Sequence, residues 1–336
     1  MDMPLSDTLP KDNCVDVDTA EDTNRPLAIE ARGLVKKFGD TLAVDGVDIS
    51  VREGAIYGIL GPNGAGKTTT LRMLLGIIDP DAGVRRVFGH DRPHEIAKLI
   101  GYLPEERGLY PAMKGVEAIA FMGALRGLSL EEGRKRGAEL LENHGMGFAI
   151  ERQIRQMSKG QAQTVQLLGT LVHRPRLVVL DEPFSGLDAI NQGKLERMIR
   201  DLADGGTTVI FSTHVIHHAE RLCESVAIIA GGKVPYAGSV EAARDRIPAQ
   251  VRLETRAREG AWLSALPQDA RREGDFFYFS LPEAGIESLL KALIDGEAGI
   301  LSLSIERAGL HDAFVHIAGE AAARALEADN AAEMGR

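Results

Sequence analysis

The segment Gly61-Pro62-Asn63-Gly64-Ala65-Gly66-Lys67-Thr68 constrains this chain more than any other. Its spacing is G-x-x-x-x-G-K-S/T. Glycines at those positions let the backbone turn tightly enough to aim its N–H groups at a polyphosphate. A helix opening near Thr68 and Thr69 adds the positive end of its dipole. In such a loop the Lys67 ammonium reaches the β- and γ-phosphates, and the Thr68 hydroxyl can ligate Mg²⁺. The loop requires a buried strand before it and a helix after it. The apolar run Ala55 to Leu60 supplies the first, and Leu71, Leu74 and Leu75 at helical spacing supply the second. A phosphate-loop enzyme acting on a small molecule fits this segment equally well.

The rest of the pattern points to an α/β protein. Leu27, Ile29 and Ala31 alternate as in a strand, and so do Val47, Ile49 and Val51. Leu177 to Leu180 and Thr208 to Phe211 are short, apolar or β-branched, and followed by polar turns, as buried parallel strands are. Helical patterns separate them, which predicts a mostly parallel sheet. Between Leu99 and Gly169 the pattern is mainly helical, as in a helical subdomain inserted into the sheet core.

A second cluster of polar groups narrows the chemistry. Leu177-Val178-Val179-Leu180-Asp181-Glu182-Pro183 is a strand ending in two acids. Asp181 is placed to hold the Mg²⁺ shell and Glu182 to polarise an attacking water. Upstream lies Met157-Ser158-Lys159-Gly160-Gln161, and downstream come Ser185-Gly186-Leu187-Asp188 and Ser212-Thr213-His214. In this order, from about Leu27 to Gly238, the set resembles the ATP-binding cassette of ABC transporters. The resemblance implies a P-loop cassette that uses ATP and Mg²⁺. Met157 to Gln161 is then the signature motif, Ser185 to Asp188 the D-loop, and His214 the switch histidine facing the γ-phosphate. Ser158, Gly160 and Gln161 would cap ATP held by a second cassette. The working unit would be a homodimer, or a heterodimer with another cassette, docked on an integral membrane permease. Phe38 resembles the aromatic that stacks on adenine, although a core phenylalanine has the same signature. His217 and His218 are read as a solvated helix face rather than as metal ligands.

Two positions depart from the family pattern. Glu105, in Ile100-Gly101-Tyr102-Leu103-Pro104-Glu105, stands where glutamine is usual, so its expected approach to Mg²⁺ or water adds negative charge. Lys159 replaces the first glycine of the signature pair, and its side chain either turns away from phosphate or adds positive charge near it. The residues flanking Glu105 resemble a subgroup of cassettes serving exporters, in which this region touches the permease. Arg107 to Phe121 is the expected docking surface.

Composition excludes other classes. Net charge is −10 over 336 residues, so no global basic field is present to hold nucleic acid. The one cassette and the lack of sustained heptads between Lys67 and Ser158 also argue against a soluble cassette ATPase acting on ribosomes or DNA. Cys14 and Cys223 form no disulfide or zinc pattern. The acidic start lacks an apolar stretch of the signal-peptide kind. No apolar run approaches the roughly 20 residues that span a bilayer. A cytoplasmic protein, peripheral on the inner face of the membrane through its permease, is expected. The expected division is a disordered acidic tail over 1–26, a cassette over 27–238, an accessory module over 239–318 and a flexible tail over 319–336. The accessory module reads as α+β of ferredoxin-like type, with strands at Val251 to Glu254, Phe276 to Phe279 and Ile300 to Ile305.

Overall fold

The computed structural model describes residues 25–334 except 107, 283 and 284, so the expected tail up to residue 24 lies outside the described residues. The chain opens with β1 (Leu27–Phe38) and β2 (Thr41–Arg52), followed by β3 (Ile56–Leu60), α1 (Lys67–Leu74), β4 (Ala82–Val87) and β5 (Ile100–Leu103). Three helices follow: α2 (Gly115–Ala124), α3 (Leu130–Asn143) and α4 (Lys159–Leu171). Next come β6 (Leu177–Leu180), α5 (Ala189–Asp204), β7 (Thr208–Thr213), α6 (Ile216–Leu222), β8 (Ser225–Ala230) and β9 (Lys233–Ser239).

The central sheet runs β5-β6-β7-β3-β8-β9. Its first five strands are parallel and β9 returns antiparallel at the edge. Alternation along each strand feeds two different cores. Val178, Leu180, Val209, Phe211, Val226 and Ile228 face the helices on one side. Leu177, Val179, Ile210, Ala227 and Ile229 face the other, where the antiparallel sheet β2-β1-β4 and helix α1 cover them. A strand buried on both faces has no polar face to show, which is why these segments read as continuous apolar runs. The helical insert expected between Leu99 and Gly169 is α2 to α4, packed mutually and against β5.

The C-terminal part divides differently from the expected boundaries. The short helix α7 (Val240–Arg244) precedes β10 (Gln250–Thr255), β11 (Arg271–Glu273), β12 (Phe276–Ser280), α8 (Glu287–Asp295) and β13 (Ile300–Glu306). These four strands form an antiparallel sheet in the order β11-β12-β10-β13. With a 3-10 turn at Ala261–Ala265 after β10, the order of elements is that of a split βαβ unit. Trp262, Val251, Leu253, Phe277, Phe279 and Leu293 fill its separate core.

Helix α9 (Leu310–Ala318) does not belong to that module. Leu310, Ala313 and Phe314 are fully buried in the same core as Phe211, Ile228 and Ala219. The spacing i, i+3, i+4 forms one apolar stripe, and the cassette supplies the surface that covers it. Glu220 of α6 accepts a hydrogen bond from the Leu310 N–H at 2.9 Å, which fixes the start of α9. Val240 and Ala243 of α7 enter the same core. The separate module is therefore shorter than 239–318, and the chain returns to the cassette after it. The expected flexible tail over 319–336 is in fact helix α10 (Glu320–Met334) over most of its length. Alanine-rich composition favours helix, and Ala323 and Leu326 bury against the cassette core.

Replacing Phe314 by alanine should lower unfolding stability by about 3–5 kcal/mol, the usual cost of emptying a large aromatic site. Denaturant unfolding of the full chain checks this. A loss below about 1 kcal/mol would show that α9 contributes little to the cassette.

Candidate nucleotide site

The order β6-β7-β3 brings three strand ends side by side, and each delivers part of one polar cluster. After β3 the loop 61–66 wraps into α1. Gly66 has φ of 108°, a conformation that L side chains rarely adopt, and a Cβ there would lie 2.5 Å from the Ala43 carbonyl oxygen. Only glycine fits. The same part of the loop is tied down by Gly232, whose N–H donates to the Ala65 carbonyl at 3.0 Å.

Lys67 is 5% exposed. Its ammonium donates to the carbonyls of Gly61 at 2.7 Å and Pro62 at 3.3 Å, and pairs with Glu182 Oε1 at 3.0 Å. Thr68 Oγ1 donates to Asp181 Oδ1 at 3.1 Å. Ser212 at the end of β7 donates to that same oxygen at 2.6 Å, while its hydroxyl accepts from the Glu182 N–H at 2.9 Å. Ser212 was not picked out as a site residue from the sequence. The signal available was a small hydroxyl residue at a strand end, two positions before His214. His214 Nδ1 lies 2.9 Å from Glu182 Oε2.

Glu182 itself adopts a left-handed conformation, with φ of 46°. Such strain in a non-glycine residue costs on the order of 1–3 kcal/mol and persists only where neighbours over-determine it. Here Lys67, His214 and Ser212 do so. Burial pushes the Glu182 carboxyl up, but the hydrogen bond from His214 and the charge of Lys67 outweigh it, so the pKa lies below the usual carboxylate value. The Lys67 and His214 contacts thus favour the ionised carboxylate.

The Asp181 Oδ2 atom is buried and has no hydrogen-bond partner. A buried carboxylate oxygen without a donor suits a hard cation, and Thr68 Oγ1 is the oxygen beside it. The donor set fits magnesium, which keeps waters and phosphate oxygens in most of its shell. Glu105 lines the same cleft of about 420 Å³ as Asp181, Glu182, Ser185 and Lys159. Burial and the repulsion of Asp181 and Glu182 push its carboxyl up.

The other expected residues take varied positions. Phe38 ends β1 with half its surface exposed, so it is not a core phenylalanine. Ser158 caps α4: its hydroxyl accepts from the Gln161 N–H at 3.3 Å, and the Gln161 side chain accepts from the Ser158 N–H at 3.0 Å. Gly160 follows in the first turn. The expectation for His218 fails. His217 is exposed, but His218 is buried, stacked on Phe184 with ring centroids 3.9 Å apart, and bonded through Nδ1 to Glu196 at 3.1 Å. Among the described residues no group of three or more potential His, Cys, Asp or Glu ligands assembles.

A phosphate loop at the end of β3, facing an acid pair at the end of β6 on the same parallel sheet, defines a nucleotide-binding P-loop protein. The family model for ABC transporters matches residues 44–185. The chain is 33% identical over 296 residues to the ABC transporter ATP-binding protein YhaQ of Bacillus subtilis (strain 168), spanning 85% of this chain and 97% of that one. It is 35% identical over 309 residues to the daunorubicin/doxorubicin resistance ATP-binding protein DrrA of Streptomyces peucetius, spanning 88% and 93%. A solved ATP-binding subunit of an ABC transporter matches with a TM-score of 0.60 at 27% identity, covering 65% of this chain and 92% of that one. The chain belongs to the ATP-binding proteins of ABC transporters, and it is an ATPase.

Two outcomes follow from this geometry. Gly66→Ala should cost about 1–3 kcal/mol of stability through strain and clash with Ala43, and should abolish nucleotide binding. Calorimetric titration with MgATP checks it, and unchanged affinity would contradict the wrap described for the loop. Burial lowers the His218 pKa, partly opposed by its bond to Glu196. The unfolded chain then takes up the proton first, so stability is complete above the ordinary histidine value of about 6.5 and declines as pH falls below it. Urea midpoints measured between neutral and mildly acidic pH should fall less in His218→Gln than in the unaltered chain.

Proposed function

We propose that this chain is the ATP-hydrolysing subunit of an exporter, driving a separate integral membrane permease. Two cassettes close around ATP, and hydrolysis reopens them. The observation that carries the hydrolytic reading is the strained, ionised Glu182 held between Lys67 and His214.

In this reading the N–H groups and side chains of Gly61 to Thr69 bind the phosphates, with Lys67 releasing Glu182 to meet them. Phe38 stacks on the base. Thr68 and Asp181 would hold magnesium, which when bound neutralises phosphate charge, with Glu105 at the edge of the same cleft. Glu182 orients the attacking water and accepts its proton. His214 steadies Glu182 and turns towards the γ-phosphate. Ser158, Gly160 and Gln161 serve the nucleotide of the facing cassette, where the first turn of α4 offers N–H groups to an anion.

The exporter assignment draws on the resistance function in the name of DrrA and on the accessory module, since the DrrA match spans 88% of this chain. Among the described residues no helix is long and apolar enough to cross a membrane. The docking surface for the permease would be the 107–121 region, of which Arg107 lies outside the described residues. Tyr110 is 59% exposed there and packs edge-on against Phe121, and Leu125 extends the apolar patch.

Glu182→Gln should bind MgATP as tightly as the unaltered chain yet release phosphate at least about 100-fold more slowly, the usual contribution of a general base. Phosphate release at the unaltered rate would remove Glu182 from that role.

A further inference from the structure

The phosphate loop carries a contact that its own chemistry does not call for. The backbone N–H of Asn63 donates to Asp329 Oδ2 at 2.7 Å, across 266 positions of sequence. Asp329 lies on α10. A carboxylate therefore sits on the lip of a loop whose purpose is to gather N–H groups around an anion.

The helix that brings it there is lightly held. Among the residues of α10 whose burial is described, only Ala323 and Leu326 are buried. The preceding helix α9, in contrast, sinks Leu310, Ala313 and Phe314 completely. The two helices meet at Gly319, whose φ of 84° and ψ of 159° belong to glycine alone, with nothing within 4 Å of where a Cβ would stand. That junction folds α10 back over the cassette and gives it a pivot. Charge on the helix is unbalanced: Glu320, Glu327 and Asp329 oppose Arg324, and Arg324 is bonded to Glu320 at 3.3 Å.

We propose that α10 is a strap that competes with nucleotide: Asp329 takes the Asn63 N–H as an anion mimic, and α10 must swing away about Gly319 when a polyphosphate fills the loop. This rests on the assignment of Gly61 to Thr68 as the nucleotide site. The competition has two sources. The carboxylate and a phosphate oxygen need the same donor, and two anions within a few ångströms on a partly buried loop repel each other strongly. Nucleotide affinity is accordingly lower than the bare loop would give, because part of the binding free energy is used to displace the strap.

The test measures equilibrium binding of MgATP to the full chain carrying Asp329→Ala. The substitution creates no cavity and favours helix, so α10 stays formed. Losing a charged hydrogen-bond competitor should tighten MgATP binding roughly tenfold. Hydrogen exchange on the unaltered chain supplies an independent measurement, in which MgATP should speed exchange of the amides in 320–334. Unchanged affinity in Asp329→Ala, or α10 amides equally protected with and without MgATP, overturns the strap. Lys67→Ala separates the two levels of the argument. If the unaltered chain binds MgATP no better than Lys67→Ala, the nucleotide site itself is misassigned; if it binds better and Asp329→Ala changes nothing, only the strap fails.

Discussion

The ion pair between Lys67 and Glu182 is the interaction around which the structure is arranged. Both side chains are almost fully buried, and holding the pair 3.0 Å apart inside a protein is tolerable because further polar groups meet each of them. Lys67 also donates to two carbonyls of its own loop, and Glu182 also meets His214. Burying two charges costs more than most single contacts return, so this pair is poor evidence of stability. It is better understood as stored chemistry. In the proposed reaction an incoming phosphate takes over the ammonium, and Glu182, its carboxylate released from Lys67, keeps the contacts to His214 and Ser212.

The sheet order makes this possible. Strands β6, β7 and β3 are consecutive neighbours in the sheet but far apart in sequence, so one local turn at each end contributes to a single cluster. Parallel strands point all three turns to the same edge. Hydrogen bonds then run between the ends rather than along them: Thr68 to Asp181, Ser212 to Asp181, and the Glu182 N–H to Ser212. A sheet buried on both faces holds these ends rigidly, because a shift of one strand would disturb both cores at once.

What could be read from sequence followed the range of the forces involved. The phosphate loop is built from neighbours a few residues apart, so its spacing alone revealed it. The strands were legible because two-sided burial leaves an unbroken apolar run. Ser212 was missed because a serine at a strand end has no periodicity to betray it. His218 was misjudged for a related reason: its helix position looks exposed until Phe184, reached through a different strand, lies flat against it. The left-handed backbone at Glu182 has no sequence signal, since residues other than glycine seldom adopt it. Helix α9 had the right stripe, but a stripe does not name the surface that covers it.

That last point alters how the accessory module relates to the cassette. The module spans β10 to β13 with its own core, yet the chain enters it from α7 and leaves it into α9, both packed in the cassette. It is anchored at both ends. An appended domain on a single linker can move without consequence for its neighbour, whereas one anchored twice transmits displacement to whatever holds its second end. Here the second end is α9, which rests on α6 and β8. Helix α6 starts two residues after His214, and its Glu220 fixes the first N–H of α9. His214, α6, Glu220 and α9 thus lie in one continuous series of packed elements between the polar cluster and the accessory module. The Glu220 bond is a charged contact in that series, and it joins the start of α9 to the helix that follows His214.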